Sequence, residues 1–382
     1  MANSLDNIMP KILARGLLAL REQAVMPRLV NGDYSTEAAQ KGKTIDVPIP
    51  SAQQASDVTP APVYSSAPNS APGVVQVQLN NWKKSNFYLT DKEMVEIDRN
   101  AHFMPMQVSE AVRALANVVN EDILDEYKGV YGFAGTEGVT PFASTVTGAT
   151  DSRKVLNQQR APRTNRRGVL DYDAEANALA LSPFSDAEKV MSAQVKIEGE
   201  IGRKFGLDWV ADDAVPTHTA GSLSATGAVV ASAALAGASS IKISSASAQG
   251  NILKGDIFTI AGDTQTYVVQ QTVSAITSGA QFAISFDPPL KANVSNEAIT
   301  IKGTHVVNLV FHRDAFAFAN RPLVQSTQDM ALGSRIMSMT DPQTGITLRL
   351  EVSRQYKQVT WEFDILWGAK LVRPELAARL AG

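Results

Sequence analysis

The feature that most constrains this chain is an abrupt change of composition in its interior. From Thr219 to Gly250 the residues are almost entirely Ala, Ser, Gly, Thr and Val, with Lys242 the only charge. Short β-type patterns follow in DIFTIAG, TYVVQQT, QFAISFD and AITIKG, with turn-forming Gly-Asp steps at 255–256 and 262–263. The Pro288-Pro289 pair breaks a strand. Material on both sides mixes helical and extended patterns. The chain is therefore predicted to be one α+β body interrupted by a small β insertion, a sandwich or barrel of its own.

Before the insertion, Val108, Val112, Leu115, Val119, Ile123 and Tyr127 form one apolar stripe. It predicts a helix over Pro105–Lys128, about 36 Å long, lying on a sheet or a partner. At the start, Ile8, Ile12, Leu13, Leu17, Leu20 and Ala24 recur at helical spacing up to Pro27. Ile45, Val47 and Ile49 lead out into a charge-poor Ser/Ala/Pro segment, and Val75, Val77 and Leu79 lead back. This predicts a projecting two-stranded loop with a polar tip. A second helix is expected to begin at Ser185, with Glu188 at capping-box spacing, continue through Val190, Ile197, Ile201 and Phe205, and stop at Gly206.

At the C-terminal end, Ile346, Leu348, Leu350 and Val352 alternate with polar residues. Val359, Trp361, Phe363, Ile365 and Trp367 do the same. This predicts an antiparallel hairpin with one apolar and one charged face. LVRPELAARLAG then reads as a short helix or lid.

No residue pattern points to catalysis. The chain has no cysteine, so thiolate nucleophiles, thiolate metal sites and disulfides are excluded. Of four histidines, His305 and His312 read as strand-end residues, and His218 is expected to orient a turn through a backbone hydrogen bond. Asp212 and Asp213 read as a turn. Gly129, Gly132, Gly135 and Gly138 lack the Gly-Lys-Ser/Thr of a phosphate loop and read as a solvent-facing loop. No cofactor and no metal is expected. The formal net charge of −3 supplies no cationic field for gripping nucleic acid. The one basic cluster is RAPRTNRRG. Its Arg160, Arg163, Arg166 and Arg167 suit a solvated or intersubunit salt-bridging loop, or a weak DNA-facing patch. The longest apolar run, Ala228–Ala238, is about half of what a helix needs to cross a bilayer, so no membrane is expected as a partner.

Longer strings carry a resemblance. MANSLDNIMPKILARGLLALREQAVMPRLVN, EGEIGRKFGLDWVADDAVPTHTAG, LKGDIFTIAG, FHRDAFAFANRPL and DPQTGITLRLEVSRQYKQVTWEFDILWGAKLVRPELAARL resemble the major capsid proteins of P22-like tailed bacteriophages. The resemblance implies the HK97-like capsid fold: an N-terminal arm, an extended loop, a peripheral domain with a long spine helix, and an axial domain holding a barrel-like insertion. On it, residues 1–31 are the arm, with contacts from Ile8, Ile12, Leu17 and Leu20. Residues 32–128 are the extended loop and peripheral domain, and 129–219 and 304–345 the axial domain. Residues 220–303 are the insertion and 346–382 the terminal hairpin and tail. It implies no enzyme but a structural role. Many copies, as hexamers and pentamers, would assemble with a scaffolding protein and a portal protein in the host cytoplasm. The resulting procapsid then matures on packaging double-stranded DNA, held by weak, non-specific contact, and the subunit ends in the virion. A phage tail or receptor-binding protein, and a hydrolase, are the competing readings. The hydrolase would require a convergent acid–base set.

Overall fold

The structure is a computed structural model. It describes residues 9–34, 44–50, 55, 58, 60, 72–93, 106–185, 201–225, 228–244, 249–323 and 335–382. Ile8, and residues 186–200 of the expected second helix, lie outside these.

The body is built on two sheets. In the first, strands Phe316–Asn320, Gln358–Leu371, Thr347–Gln355 and Arg335–Thr340 lie in that order, and Asn81–Thr90 pairs along the long central strand. The terminal hairpin has the expected alternation. Leu350 sits opposite Phe363 and Val352 opposite Trp361 on the apolar face, while Arg349 sits opposite Asp364 on the charged face. A Tyr356-Lys357 link closes it, with Lys357 at a positive φ of 56°.

The spine helix spans Met106–Asp125 and ends in a 3-10 turn, Glu126–Gly129. All six residues of its stripe are buried and join the main core. Its register on the sheet is fixed by Asp122, which accepts hydrogen bonds from Trp367 Nε1 (2.8 Å) and Asn81 Nδ2 (2.7 Å). The N-terminal helix, Met9–Gln23, packs against the spine and the same sheet. Gly16 makes this possible, because a β-carbon there would sit 3.2 Å from Val112 Cγ2 and 3.3 Å from Leu348 Cδ2.

The opposite face of the sheet receives the root of the projecting loop. Strands Thr44–Ile49 and Gly73–Gln78 pair antiparallel. Ile45, Val47, Val77 and Leu79 form a separate small core with Ala317, Ala319, Leu366 and Val372. Gly368 is required at this crossing, since a β-carbon would lie 2.2 Å from the Gln78 carbonyl oxygen.

The second sheet runs Gly132–Gly135, Ala377–Ala381, His305–His312, Arg166–Leu170, Leu207–Ala211, Gly202–Lys204, and Thr217–His218 pairs with the His305 end. Three expectations are corrected here. LVRPELAARLAG is not a helix or lid: a 3-10 turn, Pro374–Leu376, leads into strand Ala377–Ala381, which is flanked on both edges and packed under helix Thr147–Gln158. The Gly-rich segment is not a solvent-facing loop throughout, because Gly132–Gly135 pairs parallel with that strand. Phe205 and Gly206 do not end a helix. Both have positive φ, 54° and 80°, and form the tight turn between strands Gly202–Lys204 and Leu207–Ala211. Ser185 is the last described residue of a helical turn, Ser182–Ser185.

The insertion is a closed six-stranded barrel. In order around it run Ser240–Ser244, Gln281–Asp287, Thr266–Val269, Ile257–Ile260, Ala298–Ile301 and Ala228–Val230. The charge-poor lead-in supplies two of these strands. Phe258, Tyr267 and Phe286 meet at its centre with ring centroids 5.3–5.5 Å apart. Gly255 and Gly262 take positive φ in the expected turns.

Candidate functional site

Three places gather polar chemistry: the charged face of the first sheet, the joint between barrel and body, and the arginine loop. On the charged face, Arg349 Nε lies 2.9 and 3.0 Å from the two oxygens of Asp364, and Arg349 Nη2 donates to Oδ2 at 2.5 Å. Glu351 takes a longer contact from Nη2 at 3.4 Å. Lys84 pairs with Glu362 at 2.9 Å, and Trp82 Nε1 donates to Asp364. Trp82 and Tyr88 remain more than half exposed beside these charges. The Arg349–Asp364 pair is thus nearly buried within this face, while Lys84, Trp82 and Tyr88 lie outward.

The joint is dry. Arg379, from the last strand, is fully buried. It donates from Nε to the Val130 carbonyl (3.0 Å) and from Nη1 to the Gly255 carbonyl of the barrel (2.9 Å). Its guanidinium lies 4.9 Å from the centre of the Tyr127 ring, and burial pushes its pKa down to about 9. His218 bridges Tyr127 Oη at 3.0 Å and Asp256 Oδ1 at 2.8 Å. Asp256 also accepts from the amides of Leu253 and Gly221. His305 donates Nδ1–H to the Gly303 carbonyl at 2.7 Å, and burial depresses its pKa to about 4. His218 therefore does not orient a turn through a backbone bond; it joins the spine end to the barrel through side chains. Asp212 does form the expected turn, accepting from Ala214 N at 2.9 Å. It is also buried, bonded to Asn120, and raised to about 6 by that burial.

Among the described residues, neither the joint nor the open cleft beside it gathers an exposed acid–base pair. Tyr127, His218 and Asp256 are all buried, so no substrate atom reaches them. The cleft, about 430 Å³, lies between barrel and body and is lined by Tyr131, Phe133, Gln158, Gln159, Gln265 and Lys291. Amides, rings and one ammonium make no acid–base pair. Among the described residues no group of three or more His, Asp or Glu could hold a metal, and no helix is long and apolar enough to cross a membrane.

The four sequence-singled arginines divide. Arg166 is buried, donating to the carbonyls of Pro162 (2.6 Å) and Ala161 (2.7 Å) and to Asn157 Oδ1 (2.9 Å). Arg167 donates to the Arg28 carbonyl at 2.7 Å. Arg160 and Arg163 are exposed. Ile12, Leu17 and Leu20 are buried in the chain's own core, so that stripe is not free to contact neighbours. Sequence reasoning missed Arg379, Asp256 and Tyr127. The one signal was an arginine inside the apolar run LAARLAG.

Against solved structures, the chain is similar to one from Mycobacterium phage Che8, with a TM-score of 0.50 at 13% identity, covering 94% of this chain and 90% of that one. It has the HK97-like capsid fold. Lower similarities include a structure titled as the capsid of a native GTA particle (TM-score 0.46, 9% identity, 94% and 89% covered). Another is titled as a virus-like particle from Pyrococcus furiosus (TM-score 0.45, 7% identity, 97% of each chain). No family model matches the sequence. No curated protein matches it either.

Proposed function

We propose that this chain is the major capsid subunit of a tailed bacteriophage, and that many copies assemble into an icosahedral shell. The observation that carries the proposal is the fold, shared nearly end to end with the phage Che8 chain. Strands Thr44–Ile49 and Gly73–Gln78 support it: they pair with each other and pack on a small core separate from the main one. A two-stranded element is marginal in isolation and gains stability by lying on a neighbouring surface. The role needs no catalytic set.

Finer points of the reading rest on the sequence resemblance: membership of the P22-like group, the domain limits set out above, assembly with scaffolding and portal proteins in the host cytoplasm, and maturation on DNA packaging. Electron microscopy of the purified protein, alone and with a co-expressed scaffolding partner, tests the central proposal. Closed shells or polymeric sheets are expected. Discrete particles of subunit size under both conditions would refute it.

A further inference from the structure

The second sheet carries opposite charge at its two ends. Strand Arg166–Leu170 and its parallel neighbour Leu207–Ala211 run in the same direction. The loop before the first strand presents Arg160 and Arg163. The residues after both strands are Asp171, Asp173, Glu175, Asp212 and Asp213. Five residues of strand put the two ends about 17 Å apart.

Each end is built to be presented. At the basic end, helix Thr147–Gln158 stops with Arg160 in the left-handed region, φ 61°, where glycine would fit at lower cost. The amides of Arg160 and Ala161 cap the helix by donating to the Asn157 and Leu156 carbonyls. Arg166 braces the loop from beneath through Pro162 and Ala161. Arg160 and Arg163 thus project from a stiff loop, and among the described residues neither makes an ion pair. At the acidic end, Tyr172 is 58% exposed. Asp173 and Asp213, which follow the two parallel strands, are exposed at the same end, and Glu175 is half-buried one turn further along the helix that Tyr172 starts. Among the described residues, no lysine or arginine pairs with Asp173, Glu175 or Asp213.

We infer that the two ends are complementary halves of one interface, so that the Arg160/Arg163 loop of one copy docks on the Tyr172–carboxylate surface of the next. The chemistry matches. A guanidinium can stack on an exposed tyrosine while donating to flanking carboxylates, and Arg and Tyr are the residues that dominate such contacts. Because the halves are different patches at opposite ends of one sheet, the contact is head-to-tail, and its repetition about a rotation axis gives a ring. The inference rests on the capsid reading but does not depend on shells forming.

The test uses charge reversal in the full chain, with circular dichroism confirming the fold and sedimentation velocity reading the association. R160E/R163E alone, and D173K/D213K alone, should each weaken self-association at least about a hundredfold at low salt. The variant carrying all four reversals should associate again. An equimolar mixture of the two double variants should also associate, and only into rings with an even number of subunits. Normal shells or rings from either double variant would overturn the inference and leave the capsid reading standing. Rings from the wild type that never become shells would overturn the capsid reading alone. If R160E/R163E lost duplex-DNA binding while assembling normally, the loop would be a DNA contact and the inference would be wrong.

Discussion

Deleting buried methyl groups from the N-terminal helix should unfold the subunit rather than merely disarm it. Leu13 and Leu20 are both fully buried in the main core, two helical turns apart. Truncating a buried leucine to alanine costs about 3–4 kcal/mol once the unfilled cavity is included. At a seven-residue spacing the sites are about 10 Å apart, so the two losses should nearly add, to about 6–8 kcal/mol. That is comparable with the whole stability of an ordinary domain. Urea unfolding of L13A/L20A, followed by circular dichroism, should show a midpoint collapsed toward zero denaturant. Leu18→Ala, at a position 44% exposed, should stay within about 0.5 kcal/mol of wild type. A double variant within about 1 kcal/mol of wild type that nevertheless failed to assemble would refute this reasoning. It would mean that the helix leaves its own body to serve a neighbour.

Other outcomes follow from particular contacts. Arg349→Ala strands the buried Asp364 carboxylate and should cost about 3–5 kcal/mol, whereas the paired R349M/D364L change should be nearly neutral; chemical denaturation of both checks it. Gly368→Ala drives a β-carbon into the Gln78 carbonyl and should loosen the hairpin root, read as faster proteolysis within residues 44–78 at unchanged far-UV dichroism. His305, with its folded pKa lowered to about 4, contributes stability that is present above its unfolded value of about 6.5 and lost as pH falls through 4, on the order of 3 kcal/mol. Asp212, raised to about 6, acts oppositely: its proton favours the fold at low pH, and that contribution is lost as pH rises from about 4 through 6. The two slopes oppose each other between pH 4 and 6. Asp212→Asn should therefore steepen the acid loss of stability and His305→Phe reduce it, as thermal melts across that range would show.

What could be read in the sequence was whatever local periodicity alone decides. The spine helix announced itself because six apolar residues keep a 3.6 period, and every one of them is buried. The terminal hairpin did so because its period of two runs unbroken through both strands. Failures occurred where tertiary context overrode local preference. Ala377–Ala381 has helix-favouring residues but lies between two strands that claim its backbone hydrogen bonds. Ile201 and Phe205 sit four apart like helical neighbours, yet the positive φ at Phe205 and Gly206 turns the chain back between two strands. The barrel's first two strands lacked large side chains, and only closure of the barrel reveals their role. The joint was illegible because Tyr127, His218, Asp256 and Arg379 come from four distant segments. The paired roles within RAPRTNRRG, two arginines bracing and two presented, depend on which carbonyls the loop turns inward.

The neck of the insertion has a consequence for how such a chain tolerates change. Thr217–His218 and His305–Val306 pair antiparallel, and Ala220 N donates to Thr304 Oγ1 across the gap at 3.1 Å. Topologically, then, the entire barrel is the loop of a β-hairpin. Loop-closure entropy grows only logarithmically with length, so the body is nearly indifferent to how much chain is spliced in at this port. Its chemistry is not indifferent. Excision would take away the Gly255 carbonyl and the Asp256 carboxylate, leaving Arg379 Nη1 and His218 Nε2 without those partners. The port is permissive in geometry and exacting in polarity: any replacement module must bring an acceptor for a buried guanidinium and another for a buried imidazole.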